Sequence, residues 1–415
     1  MSLGQPIKEK YYDRIDIAQL VVSILISFLS LSFAAFAGLA GLGMSVSNFE
    51  ALAYIDPTIL IVLGLTALVF MVIAAVSAVT TIREITGHAG AGSLHIGKGL
   101  VWFIGGALLV FGLAALITPA RLGVYSAVLA VLAVAGVTIP VFGLLWYGIH
   151  GQTRITPKRV SGILVFTVGV STPFIVLVEF LLLIILVLLV FAGLFNNPQF
   201  RELFTAILND PTQLQTNPQK WLSEIRTVIS LPKMVGWVML TVAGIMPLVE
   251  ELFKTLGVWL LKVRNPRPEE SYRVGLACGA GFALFEGLLS VNSLNLTKLG
   301  LVDWATIILG RFGGSLLHIF VGGIIGLAIG KFWQNRRFGS LLLAYLGAWL
   351  LHAAWNSLAI FGGINPLIDE SQAQPIWPYI GLGVLVLGVL FGFARLKKIA
   401  RKAENLQVSQ NGLEG

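Results

Sequence analysis

Seven ionisable side chains lie inside apolar stretches in the second half of this 415-residue chain: Glu250, Glu251, Lys254, Glu286, Arg311, His318 and His352. Holding a charge in hydrocarbon costs at least a few kcal/mol, so each of these groups needs a partner or a task. Two carboxylates and two imidazoles without a thiolate suit a borderline divalent ion such as zinc, which accepts His nitrogen and carboxylate oxygen and keeps an open position for water. Water on such an ion has its pKa lowered toward about 7, and a nearby carboxylate can take its proton. The chemistry this donor set can do is hydrolytic.

The spacing to basic residues places four of these groups at one depth. Glu250 lies 12 residues before Lys262, Glu286 13 after Arg273, His318 13 before Lys331 and His352 15 after Arg337. At about 1.5 Å per helical residue these separations are roughly 18 to 22 Å, so the four sit in one layer on four helices. Glu250 and Glu251 point about 100° apart on a helix, so one of them faces an ion and the other is spare. Lys254, four residues after Glu250 and three after Glu251, is placed to neutralise the spare carboxylate. Asn356, one turn beyond His352, could donate to a developing oxyanion or orient a ligand. Arg311 is 20 residues before Lys331 and is expected to pair with a carboxylate nearer the outer face.

The simpler readings are concrete. A single intramembrane His more often bonds between helices, Glu and Lys one turn apart are more often a plain ion pair, and Glu286 or Glu179 could carry protons in a transporter. Gly313, Gly314, Gly322, Gly323 and Gly326 around His318 read as close helix packing. His88, His95 and His150 fall in polar loops and read as solvated.

The elements that must carry this layer are membrane helices. The chain is 56% hydrophobic and 12% charged with a mean hydropathy of +0.87, which excludes soluble enzyme folds. Apolar runs long enough to cross a roughly 30 Å hydrocarbon core occur near 17–43, 57–81, 99–118, 122–148, 160–194, 233–261, 274–296, 302–330, 339–361 and 376–396. The expected fold is therefore an all-α polytopic membrane helix bundle of about ten transmembrane helices. With the N-terminus inside, 20 of the 28 Lys and Arg residues fall in cytoplasmic segments and six outside, which favours both termini in the cytoplasm. That placement assigns the +8 charge to the membrane surface and not to nucleic acid. The segment 196–232 holds two helix starts, Asn197-Pro198 and Asn217-Pro218, each followed by an apolar stripe, which predicts two short amphipathic helices on the outer surface. Cys278, the one cysteine, excludes a disulfide framework.

The run Pro247-Leu-Val-Glu250-Glu251-Leu-Phe-Lys254 resembles the EExxK motif of the PrsW family of intramembrane proteases. Gly281-Phe-Ala-Leu-Phe285-Glu286 resembles that family's second motif, Arg311 through His318 its third and His352-Ala-Ala-Trp-Asn356 its fourth. The family is similar to the CAAX-processing and bacteriocin-processing membrane proteases. The resemblance covers about residues 235–361, and the five spans before residue 195 have no counterpart in it. No Tyr follows Glu286 before Asn292, where the family's second motif carries one.

The resemblance implies an intramembrane endopeptidase acting on a membrane-embedded or membrane-anchored peptide in the plasma membrane of a bacterium. Glu250 or Glu251 would activate water, Asn356 would aid the oxyanion, and His318 and His352 would hold a divalent metal, with zinc the first expectation and Glu286 as a further ligand from the same layer. Lys254 and Arg311 would support the site. The expected organisation is a membrane region of unassigned role at 1–195, an extracytoplasmic amphipathic segment at 196–232, a protease-like core at 233–361, and a last helix with a basic cytoplasmic tail at 362–415. The competing function is a proton-coupled transporter or permease that uses the buried Glu and His groups as a relay, and a third is a catalytically idle scaffold.

Overall fold

A computed structural model describes residues 5–46, 57–86, 124–150, 156–196, 198–209, 232–260, 267–293, 301–368 and 376–411. Among them every regular element is helical: α1 (Gln5–Val46), α2 (Pro57–Ile85), α3 (Val124–Ile149), α4 (Pro157–Phe166), α5 (Thr172–Phe195), α6 (Pro198–Asn209), α7 (Pro232–Val238), α8 (Met246–Lys254), α9 (Leu256–Leu260), α10 (Pro268–Asn292), α11 (Leu301–Asn335), α12 (Phe338–Ile368) and α13 (Trp377–Asn411). Nine stretches of the described residues are long and apolar enough to cross a membrane. The expected span at 99–118 and the second amphipathic helix after Asn217 lie outside the described residues. On α5, Leu177, Phe180, Leu181, Ile185 and Leu188 are all more than half exposed, a surface that only lipid can cover. The chain is an integral, multi-pass membrane protein.

Two π turns shape the bundle, and each precedes a proline. Proline lacks an N–H and its ring collides with the carbonyl four residues back, and a wider turn relieves the collision. Thr167–Ser171 joins α4 to α5 ahead of Pro173, and Met239–Ile245 joins α7 to α8 ahead of Pro247.

The chain divides into two compact units. The first takes residues 1–173, 254–341 and 392–415. Its centre is the α10–α11 pair, where glycine removes the side chains that would separate the backbones. A Cβ on Gly275 would meet the Gly322 carbonyl, one on Gly279 the His318 carbonyl, and one on Gly326 the Ser271 carbonyl. Lipid tails are as apolar as leucine, so such close backbone packing, and not water exclusion, holds membrane helices together. Helices from before residue 195 brace α10: Phe70 stacks on Phe285 at 5.8 Å, Asn292 donates to Thr66 Oγ1 at 2.9 Å, and Gly287 packs on Val137.

One end of this unit is tied by ion pairs. Lys158 Nζ meets Asp16 at 2.7 Å and Glu84 at 3.0 Å, Arg159 pairs with Glu270, and the fully buried Arg273 meets Glu404 at 2.8 Å.

The second unit takes residues 174–253 and 342–391. Phe200, on the amphipathic α6, is buried with Leu194 against Val190, Phe204 and Trp237. The predicted outer helix therefore exists and is seated on its neighbours through its apolar stripe.

Candidate functional site

The predicted residues fall into two sets, one in each unit. In the second unit, α8 carries Glu250 and Glu251 and α12 carries Trp349, His352 and Asn356. The last three are separated by three and four residues and so share one face of α12. That face reads the π turn. In the π register the N–H that would reach Val242 O belongs to residue 247, which is a proline, and Asn356 Nδ2 fills the gap at 3.1 Å. Trp349 Nε1 donates to Gly244 O at 2.8 Å. These two bonds fix the turn leading into α8 against the helix that carries His352.

His352 stands between the two carboxylates. Glu251, fully buried, meets Nδ1 at 2.9 Å, while Glu250 Oε2 lies 3.6 Å from Nε2. Neighbours about 100° apart on α8 thus address the two nitrogens of one ring. An ionised Glu251 can only accept, so Nδ1–H donates to it, and Nε2 faces Glu250. A carboxylate bonded to the far nitrogen of a metal-binding imidazole is the usual way such a ring is oriented. A separation of 3.6 Å is long for a hydrogen bond. It is close to the roughly 3.4 Å edge of a tetrahedron with bonds of about 2.1 Å, so this pair fits a shared zinc-like ion.

In the first unit, His318 on α11 is also bonded at both nitrogens. Nε2 meets Glu286 Oε2 at 2.9 Å and Nδ1 lies 3.3 Å from Lys254 Nζ. An ammonium can only donate, so Nδ1 accepts and Nε2–H donates to Glu286. Phe282 packs edge-on against the imidazole at 4.9 Å and beneath Lys254 at 5.6 Å. Glu286 is 40% exposed, and its other oxygen takes Arg311 Nη1 at 3.0 Å. The same nitrogen donates to Ser290 Oγ at 3.0 Å.

Several expectations are thereby sharpened. The carboxylate that pairs with Arg311 is Glu286 itself, a member of the layer, and not a group nearer the outer face. Lys254, expected beside the Glu pair, reaches His318. Asn356 already gives one N–H to a carbonyl. Glu179 is half-buried on α5, and His150 stacks on Trp146 at 4.5 Å. His88 and His95 are outside the described residues.

Trp349 and Ser290 were not singled out from the sequence. A Trp one turn before His352 and a Ser one turn after Glu286, each with a donor that hydrocarbon cannot satisfy, were the available signals.

A family model described as PrsW family intramembrane metalloprotease matches residues 162–391, more than half of the chain. The match begins within α4, so the fifth span, which the motif comparison had left outside the family core, belongs to it. No curated protein and no solved structure matches the chain.

Proposed function

The chain belongs to the PrsW family of intramembrane metalloproteases, and from that premise we propose that it is an endopeptidase that hydrolyses a peptide bond in a membrane-embedded or juxtamembrane segment of another protein. The observation that carries the reading is the dry placement of His352 between Glu250 and Glu251. An imidazole buried between two carboxylates of one helix is a donor set that suits a divalent ion.

In the proposed site Glu250 and His352 would hold a divalent ion, zinc by the chemistry of the donors, and His318 would complete the set, with its Nδ1 available only where Lys254 gives way. Continuity of α8, which carries Glu250 and Lys254 four residues apart, and the common depth of the four motifs support convergence on one centre. When bound, the ion would supply Lewis acidity and a more acidic water.

The chain's own groups do the rest. Glu250, through its second oxygen, takes the proton of the attacking water and returns it to the leaving amine. Glu251 keeps His352 in the Nδ1–H tautomer. Glu286, held by Arg311, does the same for His318 from the opposite nitrogen. The remaining N–H of Asn356 and the released Lys254 ammonium are the donors available to a developing oxyanion.

The test pairs metal analysis with cleavage. The purified protein should hold near-stoichiometric metal that the His318→Ala/His352→Ala double variant loses. Cells producing the wild type should show new N-termini in membrane proteins that are absent with Glu250→Gln. A metal-free folded wild type, or unchanged new N-termini with Glu250→Gln, would overturn the proposal.

A further inference from the structure

The last helix extends beyond the apolar core of its span, and its final turns are strongly basic: Arg395, Lys397, Lys398, Arg401 and Lys402. Exposure divides this stretch of α13 into two faces. Phe393, Leu396, Ala400 and Glu404 are buried, while Arg395, Lys398, Ile399, Arg401 and Lys402 are exposed. At 100° per residue the exposed five fall within a single arc of about 160°.

The buried face is anchored. Phe393 packs edge-on against Tyr147 at 5.6 Å, and Glu404 holds the fully buried Arg273 at 2.8 Å. The basic arc is thus fixed to the unit and does not belong to a loose tail.

Among the described residues, four acids at this end are engaged elsewhere. Asp16 and Glu84 bind Lys158, Glu270 binds Arg159 and Glu404 binds Arg273. Glu269 is buried in the first turn of α10. Among the described residues no carboxylate pairs with Lys397, Lys398, Arg401 or Lys402. Lys397 instead lies 4.0 Å over the ring of Tyr147. Trp146 and Tyr147, at the end of α3, are 48% and 41% exposed, as aromatic residues are at the level of lipid headgroups. Cations that pair with no carboxylate among the described residues, an exposed apolar Ile399 and, through Lys397 over Tyr147, the aromatic end of α3 belong to this one end of the span.

We propose that this face is a binding site for the headgroup of an anionic glycerophospholipid, with Lys398, Arg401 and Lys402 against the phosphate and Ile399 and Trp146 beside the upper acyl chain. A nucleic acid or soluble polyanion fits the charge but gives no reason for the exposed Ile399 and Trp146. The assignment is independent of the protease reading.

The experiment uses the full chain in a neutral detergent, titrated with phosphatidylglycerol or phosphatidylcholine of matched acyl chains, with bound lipid counted by native mass spectrometry. The wild type should favour phosphatidylglycerol by about a hundredfold. Each basic residue near a headgroup contributes about a fivefold factor, so Lys398→Ala/Arg401→Ala/Lys402→Ala should reduce that preference by about a hundredfold. The charge-conserving Lys398→Arg/Arg401→Lys/Lys402→Arg should retain it, which separates lost charge from a misfolded helix. Equal binding of the two lipids, an unchanged preference in the triple Ala variant, or loss in the charge-conserving variant would each overturn the assignment. Full displacement of the lipid by millimolar glycerol phosphate would also overturn it, because it would make the site one for free phosphate.

Discussion

His352 and His318 are both intramembrane imidazoles bonded to carboxylates, yet they stand in surroundings of opposite charge. His352 meets two acids, the fully buried Glu251 and Glu250, whose side chain is 10% exposed. His318 meets Glu286, which Arg311 also holds, and a lysine on its other nitrogen. The first arrangement attracts a cation. The second already contains one, in Lys254, and any metal has to compete with it. On the proposed reading, His352 would found the ion site and His318 would join it only when Lys254 gives way.

The comparison can be broken most directly at the two orienting carboxylates. Glu251→Gln should weaken metal binding by about 10–100-fold, the usual cost of losing the group that orients a ligand. Glu286→Gln should change it by less than about threefold, both read by competition with a chelator of known affinity. Equal losses would mean that the two imidazoles are equivalent.

Lys254→Met comes next. Removing the ammonium frees the Nδ1 lone pair of His318, so metal binding should tighten by about tenfold while turnover falls, because a donor to the oxyanion is lost. Weaker binding would show that Lys254 supports the ion and does not compete with it.

Smaller effects sharpen the comparison by testing what positions each ring. Gly279→Ala places a methyl against the His318 carbonyl. It should destabilise the first unit by about 1–3 kcal/mol, seen as a lower thermal midpoint in detergent. Trp349→Phe removes only the bond to Gly244 O. It should cost about 1 kcal/mol and reduce turnover modestly while leaving metal affinity nearly unchanged. A full loss of metal there would tie the π turn to the ion site itself.

The membrane fold was legible because hydrocarbon imposes length and composition on every crossing, and the apolar runs match helices wherever residues are described. The glycines around His318 were legible for the same reason, since small residues in a membrane helix mark close packing. Partners were less legible. Arg311 was assigned a carboxylate at the wrong depth because residue counting along separate helices ignores how far an arginine side chain reaches. The role of Pro247 was missed because a π turn depends on whether a neighbouring helix can satisfy the freed carbonyl. Here Asn356 and Trp349 do so from more than a hundred residues away.

By itself, then, the sequence determined that this is a polytopic helical membrane protein and that its motifs are those of a protease family, and it set the expectation that its ionisable groups share one layer. Each of these follows from local rules: the apolar length of a crossing, 1.5 Å per residue, and residue types at fixed spacing. Only the tertiary structure decided which nitrogen of His318 and His352 meets which carboxylate, that Lys254 faces His318, and which cations at the end of α13 meet no acid among the described residues. Such choices depend on side chains from helices distant in sequence meeting in a medium with no water to satisfy them.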